Sequence, residues 1–339
     1  MTSSRFAAAF ILLSGTTFAP SALAQEQGVR FGEDAPRPRT EGAIRIACYN
    51  MENVFDHVDD PDLHGEWDDR DHGISDTRAR NLAAVIRSID ADIIALQEIE
   101  SLDALIWFRD TYLADLGYTY AASLDVDYYR GIENSVLSRF EITAQSVRHH
   151  VSIDDVERPG IGWARVPANT TEPMEVQRSP LRVDIRVDDN YTITVFSVHH
   201  KSGNFKWKRE AEAIRNVEWL ADVAAENASR NILVMGDFNA APWDKSLRLY
   251  LQAGFVDLMA HRTVYDEEGR LYKSHRSDRV IDFALANSAA LREVVPDSIH
   301  IVGTYNPPDS WNWRTDPYPD AYASDHFPIV FDLIPADRR

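Results

Sequence analysis

A carboxylate and a carboxamide stand two residues apart in Gly236-Asp237-Phe238-Asn239, directly after the apolar run Ile232-Leu233-Val234-Met235. Sites of α/β proteins gather just beyond strand C-termini, and this pair suits cleavage of a phosphoester. An aspartate can orient or deprotonate a water, and an asparagine can hold that water or donate to an anionic oxygen. Ser324-Asp325-His326 supplies a second such grouping near the C-terminus. Four more segments join acids, amides or imidazoles to apolar runs: Tyr49-Asn50-Met51-Glu52-Asn53, Leu96-Gln97-Glu98, His199-His200-Lys201-Ser202 and Ile281-Asp282-Phe283. Taken singly each has an ordinary explanation. Asn50 could cap a turn, Glu98 could open a loop, His199 could be a satisfied core imidazole, and Asp282 could neutralise Arg279. An uncompensated carboxylate inside a strand is costly, so Asp282 is expected to have a dedicated partner.

These groups must be carried by a scaffold, and apolar patterning outlines it. Alternating or continuous apolar runs predict strands over 44–49, 92–96, 135–137, 181–187, 192–198, 232–235, 281–285 and 328–333. Leu82, Val85, Ile86 and Ile89 share one helical face, with Ser75 or Asp76 as N-cap. Trp207, Ala211, Ile214, Val217 and Ala221 share another, and Asp244 is expected to cap a short third helix through Leu251. Helices interspersed among strands with long connections imply layered α/β rather than strict βαβ alternation. No internal repeat or linker divides the chain after residue 41, so one domain is expected over 41–336. Residues 25–40, with Pro36 and Pro38, read as a disordered lead-in.

Residues 1–24 have the pattern of a signal peptide: Arg5, an apolar stretch from Phe6 to Leu13, and Ala22-Leu23-Ala24 before Gln25. An exported protein, periplasmic or secreted, is therefore expected, and no later run is long and apolar enough to span a bilayer. Cys48 is alone, so the fold relies on no disulfide. The net charge of −19 repels polyanions and argues against tight, non-specific duplex binding. One local exception is Lys201, Lys206, Lys208 and Arg209. They read either as a solvated helix start or as an electrostatic funnel for a phosphate.

Taken in order, the six motifs resemble the series of the endonuclease/exonuclease/phosphatase superfamily, the deoxyribonuclease I-like fold. Glu133-Asn134-Ser135-Val136-Leu137-Ser138-Arg139 also looks like that family's glycine-asparagine-alanine strand, with Glu133 and Ser135 replacing small residues. The resemblance spans about 43–335. It implies a four-layer sandwich, two mixed β-sheets packed face to face with helices on the outer faces. It further implies Mg²⁺ (Mn²⁺ as an alternative) held by Glu98 with Asn50 beside it and Asp325 nearby, a set of hard oxygen ligands suited to that ion. By the same resemblance Asp237 would act on the attacking water and Asn239 would hold that water or a phosphoryl oxygen. His199 and His326 would donate to non-bridging oxygens, and Asp282 would fix the tautomer of His326. Asp237 and the His326–Asp282 pair are both chemically able to be the base.

Substrate identity lies in the loops. Residues 305–323 carry Tyr305, Trp311, Trp313, Tyr318 and Tyr322, which could stack on bases, enter a lipid interface, or simply pack the loop. Arg130, Tyr129, Asn134, Lys201 and Trp313 are the candidates for substrate contact. The substrate class expected is a phosphoester, whether nucleic acid, lipid head group or small molecule. A monomer without a stable protein partner is expected. A non-catalytic binding module would have lost part of the catalytic set, and this chain keeps all of it. Residues 57–72 are acidic, and Asp60-Pro61-Asp62-Leu63-His64-Gly65 resembles the start of a calcium loop. His64 and Asp71 depart from that template, which argues against a Ca²⁺ site there.

Overall fold

A computed structural model describes residues 29–59, 73–259 and 269–336. In chain order the elements are β1 (Ile44–Val54), α1 (Asp76–Ile89), β2 (Ile93–Ile99), α2 (Leu102–Tyr112), β3 (Tyr120–Ser123), β4 (Glu133–Ser138), β5 (Glu141–Ser146), β6 (Leu181–Asp188) and β7 (Tyr191–His199). They continue with α3 (Lys206–Glu226), β8 (Asn231–Asp237), α4 (Lys245–Gln252), β9 (Val256–Asp257), β10 (Asp282–Ala286), α5 (Ser288–Leu291), β11 (His300–Ile301) and β12 (Ile329–Leu333). The strands form two six-stranded mixed sheets, ordered β11-β12-β1-β2-β4-β3 and β5-β6-β7-β8-β10-β9. Each sheet is centred on one parallel pair joined through a helix: β1–α1–β2 in the first and β7–α3–β8 in the second.

The pleat explains why the central strands read as continuous apolar runs. Ile44, Ile46 and Cys48 of β1 and Ile93 and Ala95 of β2 meet Val195, Leu233, Met235 and Ala284 of the facing sheet. The alternate residues Ala47, Tyr49, Ile94 and Leu96 pack outward against Leu82 and Ile86 of α1 and Leu105 and Phe108 of α2. Phe196, Ile232 and Val234 do the same against Trp219, Leu220 and Val223 of α3 and Leu247 of α4. Strands covered on both faces must be apolar on both, and the layers run helix, sheet, sheet, helix. This is the four-layer architecture expected.

Local caps set the crossover ends. Ser75 accepts from the Arg78 N–H at the start of α1, and left-handed Asp90 closes its end by donating to the Ile86 carbonyl. Asp244 does stand at the N-cap of α4, but its side chain makes no capping bond to the helix. It accepts instead from the Ala241 N–H at 2.9 Å and pairs with Lys206 at 3.0 Å.

The expected disordered lead-in departs from the structure over its described part, 29–40. Phe31 is buried in the inter-sheet core, its ring 5.9 Å from that of Phe327, and Glu33 forms a parallel bridge with Val302. Arg37 donates to the carbonyls of Asp297 and Ile299 at 2.9 and 3.1 Å. One buried phenylalanine contributes about 1.5–3 kcal/mol, enough to pin a short segment whose composition is otherwise loop-like. The expected signal peptide and the calcium-like stretch 60–71 lie outside the described residues. Among the described residues no helix is long and apolar enough to cross a membrane.

Candidate active site

The C-terminal ends of both parallel pairs open on one side of the sandwich, where a cleft of about 390 Å³ is lined by Glu98, Arg130, His199, Asp237, Asn239, Trp313, Asp325 and His326, among others. The two sheets touch just beneath it. Gln97 reaches across to donate to the Ser197 hydroxyl at 2.9 Å, and Gly236 makes room for it. A Cβ on Gly236, whose φ is +138°, would lie 2.1 Å from the Val198 carbonyl and 2.9 Å from the Gln97 amide. Gly236 is therefore demanded twice, by backbone conformation and by space.

Asp237 follows at the end of β8 and is the most connected group of the cleft. It accepts from the Asn239 N–H at 2.8 Å, from the Asn239 amide at 2.9 Å and from the Asn50 amide at 3.3 Å. Burial pushes its carboxyl up; His326 pulls the other way and Asp282 adds to the rise, leaving it at about 7. Asn239 adopts a left-handed φ of 47°. Its amide donates to the His200 carbonyl at 3.1 Å as well as to Asp237, so both N–H groups are spent. Only its oxygen remains for a ligand, and that oxygen accepts. The two roles expected for Asn239 thus reduce to one: it can accept from a water but cannot donate to a phosphoryl oxygen.

His326 is held from the other sheet's side. Its Nδ1 lies 3.0 and 2.9 Å from the two Asp282 oxygens, while Nε2 is 3.8 Å from Asp237 and 3.7 Å from Asp325. Burial disfavours its charge, yet Asp282, Asp325 and Asp237 outweigh that and hold it well above the usual imidazole range. Asp282 thus has the partner its buried position demanded.

His199 differs from expectation. Its Nε2 faces the Arg178 guanidinium at hydrogen-bond distance, with Glu98 and Asp237 oxygens each 3.6 Å away. A guanidinium only donates, so this nitrogen accepts and carries no proton. Burial first, then Arg178 and Arg130, hold His199 well below the usual range. It cannot donate from Nε2 to a substrate oxygen. Arg178 itself gave no sequence signal, because Gln177-Arg178-Ser179 has no pattern around it.

Of the expected oxygen ligands, Glu98 and Asp325 line the cleft, and Asn50 lies beneath it against Asp237. Asn50 is buried, and its Oδ1 accepts from the Glu52 N–H at 2.9 Å. Glu98 stands in a left-handed φ of 63° and accepts from the Asn53 N–H at 3.0 Å. Asp325 donates its N–H to Glu52 at 3.2 Å. Burial opposes the Asp325 charge, but His326, His275 and Arg78 overcome it and depress its carboxyl far below the usual range. Glu52 is the counterpart: burial and then Asp325 raise it to about 8. Arg78 of α1 ties this corner together, donating to the carbonyls of Met51, Glu52, Asn53 and Ala323. A partly buried set of carboxylate and amide oxygens fits a hard divalent cation such as Mg²⁺ or Mn²⁺.

His275 was also invisible in the sequence. Its Nδ1 accepts from the Ser277 N–H at 3.0 Å, which places the proton on Nε2, and Nε2 lies 3.1 Å from Asp325. Its ring stands edge-on to His326 at 4.6 Å. His275, Asp325 and His326 form one close grouping, and Asp237, Asp282 and His326 form another.

The substrate-contact candidates divide. Arg130 lines the cleft, donating to the Asn53 side chain with Glu98 3.9 Å away. Trp313 is half exposed at the rim, with the Arg314 guanidinium 4.0 Å over its ring. Trp311 and Tyr322 also line the cleft and pack with Tyr318, the three ring centroids lying 5.1–5.7 Å apart. Asn134 is buried on β4, away from the cleft, and donates to the Ser179 carbonyl at 3.0 Å. Lys201 does not line it either, its charge being paired with Glu172 at 2.9 Å. The cation run does not form a funnel: Lys208 shares Glu172, Lys206 takes Asp244, and Arg209 donates to the carbonyls of Lys201 and Gly203.

Comparison with known proteins agrees with this geometry. Residues 71–326 match the family described as Endonuclease/Exonuclease/phosphatase. The catalytic domain of human Nocturnin with bound sulfate is 15% identical, with 87% of this chain and 95% of that one covered and a TM-score of 0.52. A mannosyl-6-phosphatase from Bacteroides thetaiotaomicron is 18% identical, covering 86% and 99%, with a TM-score of 0.53. Humanized D. rerio TDP2 is 14% identical, covering 86% and 99%, with a TM-score of 0.54. The chain matches none of the curated proteins.

Proposed function

We propose that this chain, which belongs to the endonuclease/exonuclease/phosphatase family and is a phosphoester hydrolase, is a Mg²⁺-dependent phosphodiesterase or nuclease that acts outside the cytoplasm. The observation that carries the reading is the position of Asp237. It is a buried carboxylate fixed by Asn50 and Asn239, within 4 Å of His326 on the opposite loop, and it shares a cleft with Glu98.

Asn50, Glu98 and Asp325 would hold the cation, which when bound neutralises phosphate charge and polarises the phosphorus centre. The Asn239 oxygen accepts from the attacking water, and Asp237 receives its proton. His326, kept cationic by Asp282, donates from Nε2 to the oxygen on which charge develops. His199 serves differently, as a neutral acceptor that keeps the Arg178 charge against the cleft. No covalent intermediate with the protein is required.

A panel of plasmid DNA, RNA, a chromogenic diester, phosphomonoesters and sphingomyelin vesicles, each with Mg²⁺, Mn²⁺ or chelator, tests this. Diester cleavage that needs metal and vanishes in His326→Ala supports it. Turnover of no phosphoester above the His326→Ala background would refute it. Release of phosphate from monoesters alone would correct the diester assignment. A lipid diesterase is the second reading, favoured by the exposed Trp313 at the rim and the acidic surface. Sphingomyelin turnover without nucleic-acid cleavage would select it. Export is tested by the N-terminus of the protein in a periplasmic or culture fraction, expected to be Gln25.

A further inference from the structure

A second, acidic cavity of about 500 Å³ is lined by Glu100, Asp103, Asp125, Asp127 and Glu133, with no lysine, arginine or histidine among the described residues of its wall. Exposed acids alone would need no counter-ion. Glu133 is different. It is 4% exposed, replaces a small residue of the family's strand motif, and its Oε2 is buried without a hydrogen-bond partner. Its other oxygen receives one bond, from the Val126 N–H at 3.3 Å. Burial raises the Glu133 carboxyl most, and the Asp125 and Asp127 carboxylates beside it raise it further. Two carboxylates can meet at such a place only with a proton or a cation between them.

We infer that this cavity is a cation site, with Glu133 and Asp125 as its carboxylate ligands and Ca²⁺ as the ion it takes. An oxygen-only wall calls for a hard ion, and an open cavity leaves room for the waters that complete a flexible Ca²⁺ shell. Asp127 also lines it, with His149 and His150 nitrogens 3.4 and 3.5 Å from its Oδ2. Asp125 sits on the loop that runs from β3 to β4 and Glu133 opens β4, and that loop also carries Tyr128 and Arg130. Tyr128 accepts from Arg178 at 3.1 Å, and Arg130 lies against Asn53 and Glu98. An ion at Glu133 therefore anchors the loop that forms one wall of the catalytic cleft, without itself touching substrate.

The test uses the whole chain, stripped with chelator and then kept in a constant excess of Mg²⁺ so that the catalytic cleft is served throughout. Adding Ca²⁺ to about a hundred times its Kd is expected to raise Tm by roughly 5 °C, with a matching binding isotherm in calorimetry. Glu133→Gln and Asp125→Asn are each expected to abolish both responses, while Glu98→Gln keeps them. Asp125 is exposed, so Asp125→Asn folds and decides the matter even if Glu133→Gln does not. A flat Tm in the parent chain, or a Ca²⁺ response retained in either variant, overturns the site and leaves only a proton shared by the two acids.

Discussion

The two sheets carry the same device and load it differently. In each, a parallel strand pair delivers its residues to the cleft, and a non-glycine residue turns left-handed at or just beyond its end: Glu98 at φ 63° near the end of β2 and Asn239 at φ 47° past β8. The first sheet contributes oxygen donors, Asn50, Glu52 and Glu98, gathered by the buried cation Arg78. The second contributes His199, Asp237 and Asp282, with the buried cation Arg178 held against the His199 imidazole as well as the His200 carbonyl. On the proposed reading, one half would hold a cation and the other would move protons. They are joined at Gln97 beneath the cleft and by His326, which leaves the first sheet's side to pair with Asp282 of the second.

This division makes its strongest prediction in turnover. His326→Ala should lower kcat by roughly 10³-fold at any metal concentration, whereas an equally damaging Glu98→Gln should recover partly as Mg²⁺ is raised. Equal recovery of both would erase the distinction. Next in size is the joint between the sheets. Gly236→Ala should cost about 3 kcal/mol or more in denaturant unfolding, since a Cβ would collide with backbone and the residue sits at positive φ.

His275→Ala should weaken the half-saturating metal concentration by about tenfold while leaving kcat at saturating metal nearly intact, the signature of a residue that orients Asp325. A loss of kcat alone would move His275 to the proton-handling half. Lys201→Met should leave KM within about twofold, because its charge is committed to Glu172. A large KM rise would restore the phosphate funnel.

The smallest effect expected is a pH dependence in the second sheet. Burial raises the Asp257 carboxyl from 3.8 to about 6. The folded state therefore favours its proton, and that contribution is present below about pH 4 and lost as pH rises through about 6. Asp257→Asn should flatten this part of the stability profile, read as Tm against pH relative to the parent chain.

Much of the scaffold was legible because its strands are covered on both faces. All eight predicted strands occur, since apolar runs such as Ile232 to Met235 leave little alternative. The four strands that escaped notice lack that signature: β3 (Tyr120–Ser123) is a four-residue edge strand, β5 is half exposed at a sheet edge, and β9 and β11 are two residues each. Helix α2 was missed because Leu105, Ile106, Trp107 and Phe108 run together without a polar face to set the period. The lead-in at Phe31 was misread because one buried aromatic does not alter the composition of a proline-rich segment.

By itself the sequence determined the chemical inventory and its placement at strand ends, since both follow from covalent neighbours and a two-residue period. Folding alone decided how each group is used. Arg178 finds His199, His275 finds Asp325, and Lys201 finds Glu172 across spans of chain that carry no spacing rule. Whether a nitrogen donates, accepts or is already spent depends on which neighbour arrives in three dimensions, and a buried polar group must take the partner the packing supplies. That is why Asn239 and His199, both evident in the sequence, acquired their roles only in the folded cleft.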